Sequence, residues 1–313
     1  MKSNIKLIDD PFFLVYDSRS GSTFLANMLV KSVGVALPPE SNFITAIFDN
    51  YFRQSVENSH DLEKIIKVIY SDRKFADWKI EETEIKQYIG DRYPLSIRDF
   101  ILTVCTIYKN KNFPNSNIFG LKKGVYLTRH REMKQMFPQS QYIGIVRDGR
   151  AVFNSKKNSI YSVTGKPFET SPTEAAREWC KIINILEEAE QKYLGEVLKV
   201  KYEDTIERPE ETVAILKDFL DIKNSSERIN RKKYVIAQRY GELHKNVGKK
   251  PMRSRITAWQ ESLSAEEIYA FESVAYKHLL AEGYPLINSK FSLQYPHLNK
   301  IWQTVVSLSH KKT

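Results

Sequence analysis

The sequence is poor in cysteine, with only Cys105 and Cys180 among its 313 residues. Two cysteines are too few for a disulfide framework and are consistent with a reducing compartment. We therefore interpret both as buried apolar side chains rather than as a pair. A secretory signal peptide is not expected either, because no long apolar stretch precedes Asp9 and Asp10. These absences predict a cytoplasmic protein.

Long apolar runs and clusters of metal ligands are missing as well. No window approaches the roughly 20 apolar residues that a membrane-spanning helix requires. The six histidines and two cysteines do not recur at the spacings of a metal site. We therefore predict neither a membrane span nor a bound metal.

Basic residues are abundant: 48 Lys and Arg residues against 38 Asp and Glu residues give a net charge of +10. Such an excess suits a polyanionic ligand. Nucleic acid is disfavoured as that ligand, because the basic residues are dispersed and no zinc-finger, helix-turn-helix or RNP-type pattern occurs.

Short apolar runs alternate with helical patterns along the chain. The strand candidates are FFLVY (12–16), IFGLK (118–122), YIGIV (142–146) and EVLKVKYED (196–204). This alternation predicts an α/β fold with three layers, in which helices flank a central parallel sheet.

One domain is the simplest organisation for a chain of this length and hydrophobic content. We predict that this domain covers residues 1–287 and that the apolar tail 288–313 docks on it. The stretch 49–117 is mostly polar with a helical pattern, and we predict that it is an inserted helical cap that shapes an acceptor pocket.

A loop with glycine and hydroxyl residues, DSRSGSTFLANM (17–28), leads from the first strand into a helix. Free N–H groups at such a helix start favour a phosphate. The loop does not fit the pattern GxxxxGK[ST] of ATP and GTP enzymes. When Gly21 is aligned with the last glycine of that pattern, Tyr16 replaces the first glycine and Ser22 replaces the lysine.

A second candidate phosphate element, RDGRAVFNS (147–155), follows the strand YIGIV. It places Arg147 at the end of the strand and Ser155 inside the next helix. A guanidinium fits a phosphate bidentately, and a hydroxyl further along the helix can close the other side. The occurrence of two such elements, each directly after a strand, argues against coincidence.

The order RSGST, with Arg19 before the glycine, resembles the 5′-phosphosulfate loop of sulfotransferases that use 3′-phosphoadenosine 5′-phosphosulfate (PAPS). The segment RDGRAVFNS resembles the 3′-phosphate element of the same family. FGLKKGVY (119–126) and VKYED (200–204) are similar to segments of tyrosylprotein sulfotransferases and their bacterial relatives. The resemblance implies a P-loop-like fold, sulfuryl transfer without a metal, and release of 3′,5′-bisphosphoadenosine (PAP).

The resemblance also implies which residues contact the nucleotide, and it leaves the choice between the two adjacent lysines open. These residues are Arg19, Ser20, Gly21, Ser22, Thr23, Phe24, Arg147, Ser155, Tyr202, Lys249, Lys250 and Arg255.

Sulfuryl transfer places negative charge on the bridging oxygen of the leaving phosphate, and cations must neutralise this charge. Arg19 and Lys122 are the expected cations, with Lys123 as the alternative to Lys122. A general base must accept the proton of the acceptor. The resemblance to tyrosylprotein sulfotransferases implies Glu40 as this base. The cytosolic small-molecule branch of the family uses a histidine, for which His130 is the second candidate.

We expect the acceptor to be a small molecule, such as a natural product or a carbohydrate, with a hydroxyl or an amine. Neither nucleic acid nor a membrane is expected as a partner, and a homodimer is left open. Two other functions stay open at this point. One is a P-loop kinase-like phosphotransferase, which the missing lysine disfavours, and the other is a non-enzymatic module that binds nucleotide or nucleic acid.

Overall fold

A computed structural model describes residues 6–52, 54–161, 164–222, 234 and 253–287. Lys249, Lys250 and the tail 288–313 lie outside the described residues. The nucleotide contacts expected of the two lysines and the docking of the tail therefore stay predictions.

Within this part of the chain, three strands are five residues long and five strands have two or three residues. They are β1 (Phe12–Tyr16), β2 (Ser55–Val56), β3 (Leu95–Ser96), β4 (Gly120–Lys122), β5 (Tyr142–Val146), β6 (Ile160–Tyr161), β7 (Lys166–Pro167) and β8 (Val197–Lys201).

The helices are distributed between and after these strands. They are α1 (Ser22–Met28), α2 (Phe43–Tyr51), α3 (Ser59–Ser71), α4 (Glu82–Ile89), α5 (Ile97–Asn112), α6 (Val125–Thr128), α7 (His130–Met136), α8 (Gly149–Lys157), α9 (Pro172–Lys192), α10 (Tyr202–Glu207), α11 (Pro209–Phe219), α12 (Ser254–Ser262) and α13 (Ala265–Ala281). A π-helical turn (Leu29–Val33) extends α1, and a 3₁₀ turn (Phe75–Trp78) follows α3.

The central sheet is parallel and has the strand order β4, β1, β5, β8. In its register Phe13 of β1 lies opposite Tyr142 of β5. Phe13, Leu14 and Val15 are fully buried, because helices cover both faces of a parallel sheet and leave no face for solvent. The predicted α/β fold with a central parallel sheet is confirmed.

Two strands are shorter than the sequence pattern indicates. β4 begins at Gly120, and β8 ends at Lys201, where Tyr202 opens α10. At the start of α9 the predicted cap is present, because the Ser171 hydroxyl accepts a hydrogen bond from the Glu174 backbone N–H at 3.4 Å. These differences concern element ends, which sequence patterns define least well.

The helical stretch between β2 and β4 packs into the same hydrophobic core as the sheet. The Thr106 hydroxyl of α5 accepts a hydrogen bond from the Ile8 backbone N–H at 3.1 Å. The Trp78 and Tyr108 rings lie 5.0 Å apart. This stretch is thus anchored to the sheet, and its role in shaping an acceptor pocket stays a prediction.

Both cysteines are buried and free, Cys105 in α5 and Cys180 in α9. Across the ranges described above, no helix combines the length and the apolar character of a membrane span.

Parallel pairing brings the carboxyl ends of β1, β4, β5 and β8 to one edge of the sheet. The strand order also reverses direction beside β1, since the chain runs from β1 to β4 on one side and then to β5 on the other. Ligands of open α/β sheets bind at such switch points. The fold therefore places Tyr16, Lys122 and Arg147 at the expected ligand edge.

Candidate active site

The loop after β1 has a backbone that only certain residues tolerate. Arg19 has a φ of 72° and Gly21 a φ of 96°, both in the left-handed region. A Cβ atom at Gly21 would lie 2.2 Å from the Tyr202 ring. Glycine is required at position 21 because it adopts the left-handed conformation without cost, and because its lack of a Cβ atom lets the Tyr202 ring approach the backbone.

Arg147, at the end of β5, connects the two predicted phosphate elements. Its Nη1 donates to the Arg19 carbonyl at 3.2 Å, and its Nη2 donates to the Arg255 carbonyl at 2.8 Å. Its guanidinium carbon lies 4.4 Å from the centre of the Tyr202 ring. In addition, the Arg19 Nε donates to the Ser155 hydroxyl at 3.1 Å. The structure therefore brings five of the predicted nucleotide contacts together.

The remaining loop residues line the start of α1. Ser22 and Thr23 are buried at the first positions of this helix, where backbone N–H groups have no partner inside the helix. Phe24 meets Tyr202 edge to face, with ring centroids 6.5 Å apart. The loop thus presents backbone donors next to the two arginines.

Donors in this cluster are left without acceptors. The Ser20 hydroxyl and the Arg147 Nε are buried, and neither has a hydrogen-bond partner among the described residues. Burial and the positive charges of Arg147 and Arg255 lower the pKa of Arg19. In the described part of the chain, no carboxylate forms an ion pair with Arg19 or Arg147. A buried group of donors and cations that lacks an acid of its own fits a phosphate-bearing ligand.

An acidic and a basic residue meet beside the end of β4, on the other side of β1 from Arg147. The ammonium of Lys122, the last residue of β4, forms a buried ion pair with Glu40 Oε1. The same oxygen accepts a hydrogen bond from the Tyr16 hydroxyl at 2.6 Å. Lys122 Nζ also lies 4.5 Å from the centre of the Tyr16 ring and 5.8 Å from that of Tyr234. The predicted catalytic pair is therefore brought together, with two aromatic rings around it.

The electrostatic effect of this arrangement on Glu40 is large. Burial raises the pKa of the Glu40 carboxyl, but the charge of Lys122 and the hydrogen bonds from Lys122 and Tyr16 outweigh burial and bring the pKa to about 2. For Tyr16, burial and the adjacent Glu40 charge raise the pKa of the phenol well above its ordinary value. At neutral pH Glu40 is thus a carboxylate and Tyr16 a neutral phenol.

Two residues of the helical stretch hold the backbone on both sides of Glu40. The Trp78 Nε1 donates to the Pro39 carbonyl at 3.0 Å. The Asp72 carboxylate accepts from the Ser41 hydroxyl at 2.6 Å and from the Asn42 backbone N–H at 2.5 Å. These contacts join residues 30 or more positions apart, so no local sequence pattern marked Asp72 or Trp78.

Lys123 points to a different environment from Lys122. Its ammonium donates to the Asn42 side-chain oxygen and to the Ser41 carbonyl, the latter at 3.2 Å. Burial and the charge of Lys74 lower the pKa of Lys123 to about 8. Of the two adjacent lysines, Lys122 is the one that contacts Glu40.

His130 lies away from this cluster. Its Nδ1 is 3.2 Å from the Tyr193 hydroxyl, and its carbonyl accepts a hydrogen bond from Tyr142 at 3.1 Å. Tyr142 is the first residue of β5, so His130 packs at the end of the sheet opposite Glu40. The structure therefore does not bring His130 to the carboxyl ends of the strands, where Glu40 and Lys122 meet.

Among the described residues, no three His, Cys, Asp or Glu side chains are arranged to hold a metal ion. The cluster of donors at the strand ends consists of arginine, lysine and hydroxyl groups, which bind anions rather than cations.

Comparison with known proteins agrees with this geometry. The sequence pattern of the sulfotransferase family matches residues 11–226. Protein-tyrosine sulfotransferase A of Caenorhabditis elegans is 28% identical over 156 residues, which are 47% of this chain and 39% of that protein. A putative protein-tyrosine sulfotransferase of Caenorhabditis briggsae is 25% identical over 163 residues, 50% of this chain and 57% of that protein. The match thus spans about two to three fifths of these relatives.

Among solved structures, the sulfotransferase domain from the curacin biosynthetic pathway has a similar fold, with a TM-score of 0.59. The similarity covers 90% of this chain and all of that domain, at 18% sequence identity. A family match over more than half of the chain makes this chain a member of the sulfotransferase family.

Proposed function

We propose that this protein transfers the sulfuryl group of PAPS to a hydroxyl or an amine of a small-molecule acceptor and releases PAP. The observation that carries the proposal is that the Glu40–Lys122 pair lies at the same sheet edge as Arg19 and Arg147, which form no ion pair with a carboxylate among the described residues. The first can activate a nucleophile, and the second suits a ligand with phosphate groups.

The residues present fit a nucleotide with two separate phosphate positions. The loop from Arg19 to Thr23 would hold the 5′-phosphosulfate through backbone and hydroxyl donors. Arg147 and Ser155 would hold the 3′-phosphate, and the unpartnered Arg147 Nε supports this role. Tyr202 would line the nucleoside side. Lys249, Lys250 and Arg255 stay candidates for the 3′-phosphate.

PAPS supplies the sulfuryl group: its bond between sulfur and the bridging oxygen breaks, and the electron pair stays on PAP. A new bond forms between the sulfur and the acceptor oxygen or nitrogen, whose proton passes to Glu40. Arg19 and Lys122 neutralise the charge that grows on the bridging oxygen. The protein thus contributes position and charge to a loose transition state, as in phosphoryl transfer.

The Glu40–Lys122 ion pair connects the neutralisation of the leaving group with the deprotonation of the acceptor. Lys122 Nζ contacts Glu40 in the structure, so neutralising the leaving group requires the ammonium to turn toward the nucleotide. This turn removes part of the charge that keeps the pKa of Glu40 near 2 and makes the carboxylate a stronger base. Glu40 would therefore become an effective base only when the nucleotide is in place.

The acceptor is assigned only by class. The named relatives are protein-tyrosine sulfotransferases, so a peptide tyrosine is the second candidate acceptor beside small alcohols, phenols, amines and sugars. A cytoplasmic location and a homodimer belong to the same set of open predictions. Arg19 and Lys122 would take the charge-neutralising role that Mg²⁺ has in kinases, so we expect transfer to continue in EDTA.

The test is a transfer screen with ³⁵S-labelled PAPS over small alcohols, phenols, amines, sugars and tyrosine peptides. Wild-type protein should label at least one acceptor class in EDTA. Glu40→Gln should lower kcat about 100-fold or more, in the range of a lost general base. Lys122→Met should have a similar effect, whereas the matched control Lys123→Met should retain most activity. Transfer from γ-³²P-labelled ATP with Mg²⁺, with none from PAPS, would show a kinase instead.

A further inference from the structure

Tyr16 is the last residue of β1 and immediately precedes the loop that carries Arg19. The sequence patterns explain it only as an apolar strand residue. Its ring is half-buried, and its hydroxyl donates to Glu40 Oε1 at 2.6 Å. Its hydroxyl is also 3.4 Å from Lys122 Nζ. The phenol therefore contacts both members of the ion pair.

The backbone around Tyr16 is fixed by the neighbouring strand. The Lys123 N–H donates to the Leu14 carbonyl at 3.1 Å. A Cβ atom at Gly124 would come within 2.7 Å of the Tyr16 carbonyl oxygen, so the turn after β4 packs directly on the end of β1. Tyr16 is consequently a rigid support, whereas Lys122 carries a flexible four-carbon side chain.

The Lys122 and Tyr16 hydrogen bonds converge on the same oxygen of Glu40, Oε1. Among the described residues, Oε2 has no recorded partner, and 28% of the Glu40 side chain is accessible. One carboxylate oxygen is thus held while the other is available to an acceptor.

We infer that Tyr16 is a positioning residue for the base Glu40: its hydroxyl holds Oε1 when Lys122 turns to the nucleotide, so that Oε2 faces the acceptor. This inference rests on the proposed function. Without Tyr16, a carboxylate that loses Lys122 would be free to rotate, and the orientation needed for proton transfer would be lost.

Other charged or titratable groups also act on Glu40 or its neighbours, and the test must separate Tyr16 from them. They are Lys122, Lys74, Lys123, Asp72, Tyr126 and Tyr234. The substitution Tyr16→Phe removes only the hydroxyl and leaves the ring beside Lys122. Tyr142→Phe is the matched control, because it likewise removes one tyrosine hydroxyl and its hydrogen bond, at the other end of the sheet.

The first measurement is a double-mutant cycle in the free energy of unfolding at neutral pH, with Tyr16→Phe, Glu40→Gln and the double variant. We expect the two substitutions to be non-additive, whereas Tyr142→Phe and Glu40→Gln should add. Additivity of Tyr16→Phe with Glu40→Gln would overturn the inference. This readout needs no substrate, so it holds even if the proposed function fails.

The second measurement is the pH profile of kcat/KM for the acceptor at saturating PAPS. A hydrogen bond to the carboxylate lowers its pKa, so Tyr16→Phe should move the acid limb of the profile up by about one pH unit. It should also lower kcat about tenfold and leave the affinity for PAP unchanged. An unmoved acid limb would refute the role of Tyr16, whereas absence of PAP binding and of transfer in the wild type would refute the proposed function.

Discussion

Arg147 and Arg150 lie three residues apart, are both buried, and have opposite environments. The Arg150 guanidinium forms ion pairs with Asp148 at 2.8 Å and with Glu272, and it stacks 4.1 Å from the Trp259 ring centre. Arg147 donates only to carbonyls and leaves its Nε without a partner among the described residues.

The difference separates a structural arginine from one suited to a ligand. Burial lowers the pKa of Arg150, but the charges of Asp148 and Glu272 more than offset burial and raise it. Arg147 has Arg19 as its charged neighbour instead. An anion that enters beside Arg147 would supply the countercharge that the described residues do not provide. In the segment RDGR, the second arginine therefore serves the fold, and the first is the one that we propose for the nucleotide.

The largest expected effect breaks the structural half of this comparison. Arg150→Met leaves the buried carboxylates of Asp148 and Glu272 without their cation, and it should lower the free energy of unfolding by about 3–5 kcal/mol. Arg147→Met should lower it by less, about 1–2 kcal/mol, because it loses two hydrogen bonds to carbonyls but leaves no buried acid behind. Urea unfolding of both variants measures the contrast, and equal losses would contradict the assignment.

The ligand half is tested by affinity. Arg147→Met removes charged hydrogen bonds worth about 1.5–3 kcal/mol, so the affinity for PAP should fall about 10- to 100-fold in a calorimetric titration. Arg147→Lys should recover part of the loss, because lysine keeps the charge but not the bidentate geometry. Unchanged affinity in Arg147→Met would place the nucleotide elsewhere.

A third substitution would give the arginines of the proposed nucleotide site an acidic neighbour, as Arg150 has in Asp148 and Glu272. In the wild type, Arg19 donates a hydrogen bond to the Ser155 hydroxyl. Ser155→Asp would place a carboxylate beside Arg19 instead. We expect PAP affinity to fall about tenfold below that of the neutral control Ser155→Asn, since the new acid competes with the phosphate. The thermal midpoint should not fall relative to that control. If both variants bind PAP equally well, charge neutralisation is not the distinguishing feature.

The last prediction concerns acid stability. Because the folded pKa of Glu40 is about 2 and its ordinary value is near 4.3, the ionised carboxylate stabilises the fold fully above the ordinary value. This contribution is lost as the pH falls toward 2. The difference in unfolding free energy between wild type and Glu40→Gln should therefore shrink between about pH 5 and pH 2. A difference that stays constant would show that Glu40 is not held by Lys122.

Sequence patterns located the features that depend on local order. The run FFLVY predicted β1, and the motifs RSGST and RDGR predicted the positions of Arg19 and Arg147. Tyr16, Asp72 and Trp78 were missed, because their contacts with Glu40 and its neighbours arise from packing between segments 24 to 39 positions apart. His130 was a reasonable candidate by residue type, but only the fold shows at which end of the sheet it lies.

We propose that Arg19 and Arg147, which form no ion pair with a carboxylate among the described residues, hold PAPS. It is tested most directly by isothermal titration of the wild-type protein with PAP in EDTA, and in parallel with ATP and Mg²⁺. We predict saturable 1:1 binding of PAP that does not need metal and is weakened in Arg147→Met, with no comparable binding of ATP. Binding of ATP with Mg²⁺ and none of PAP would contradict the account.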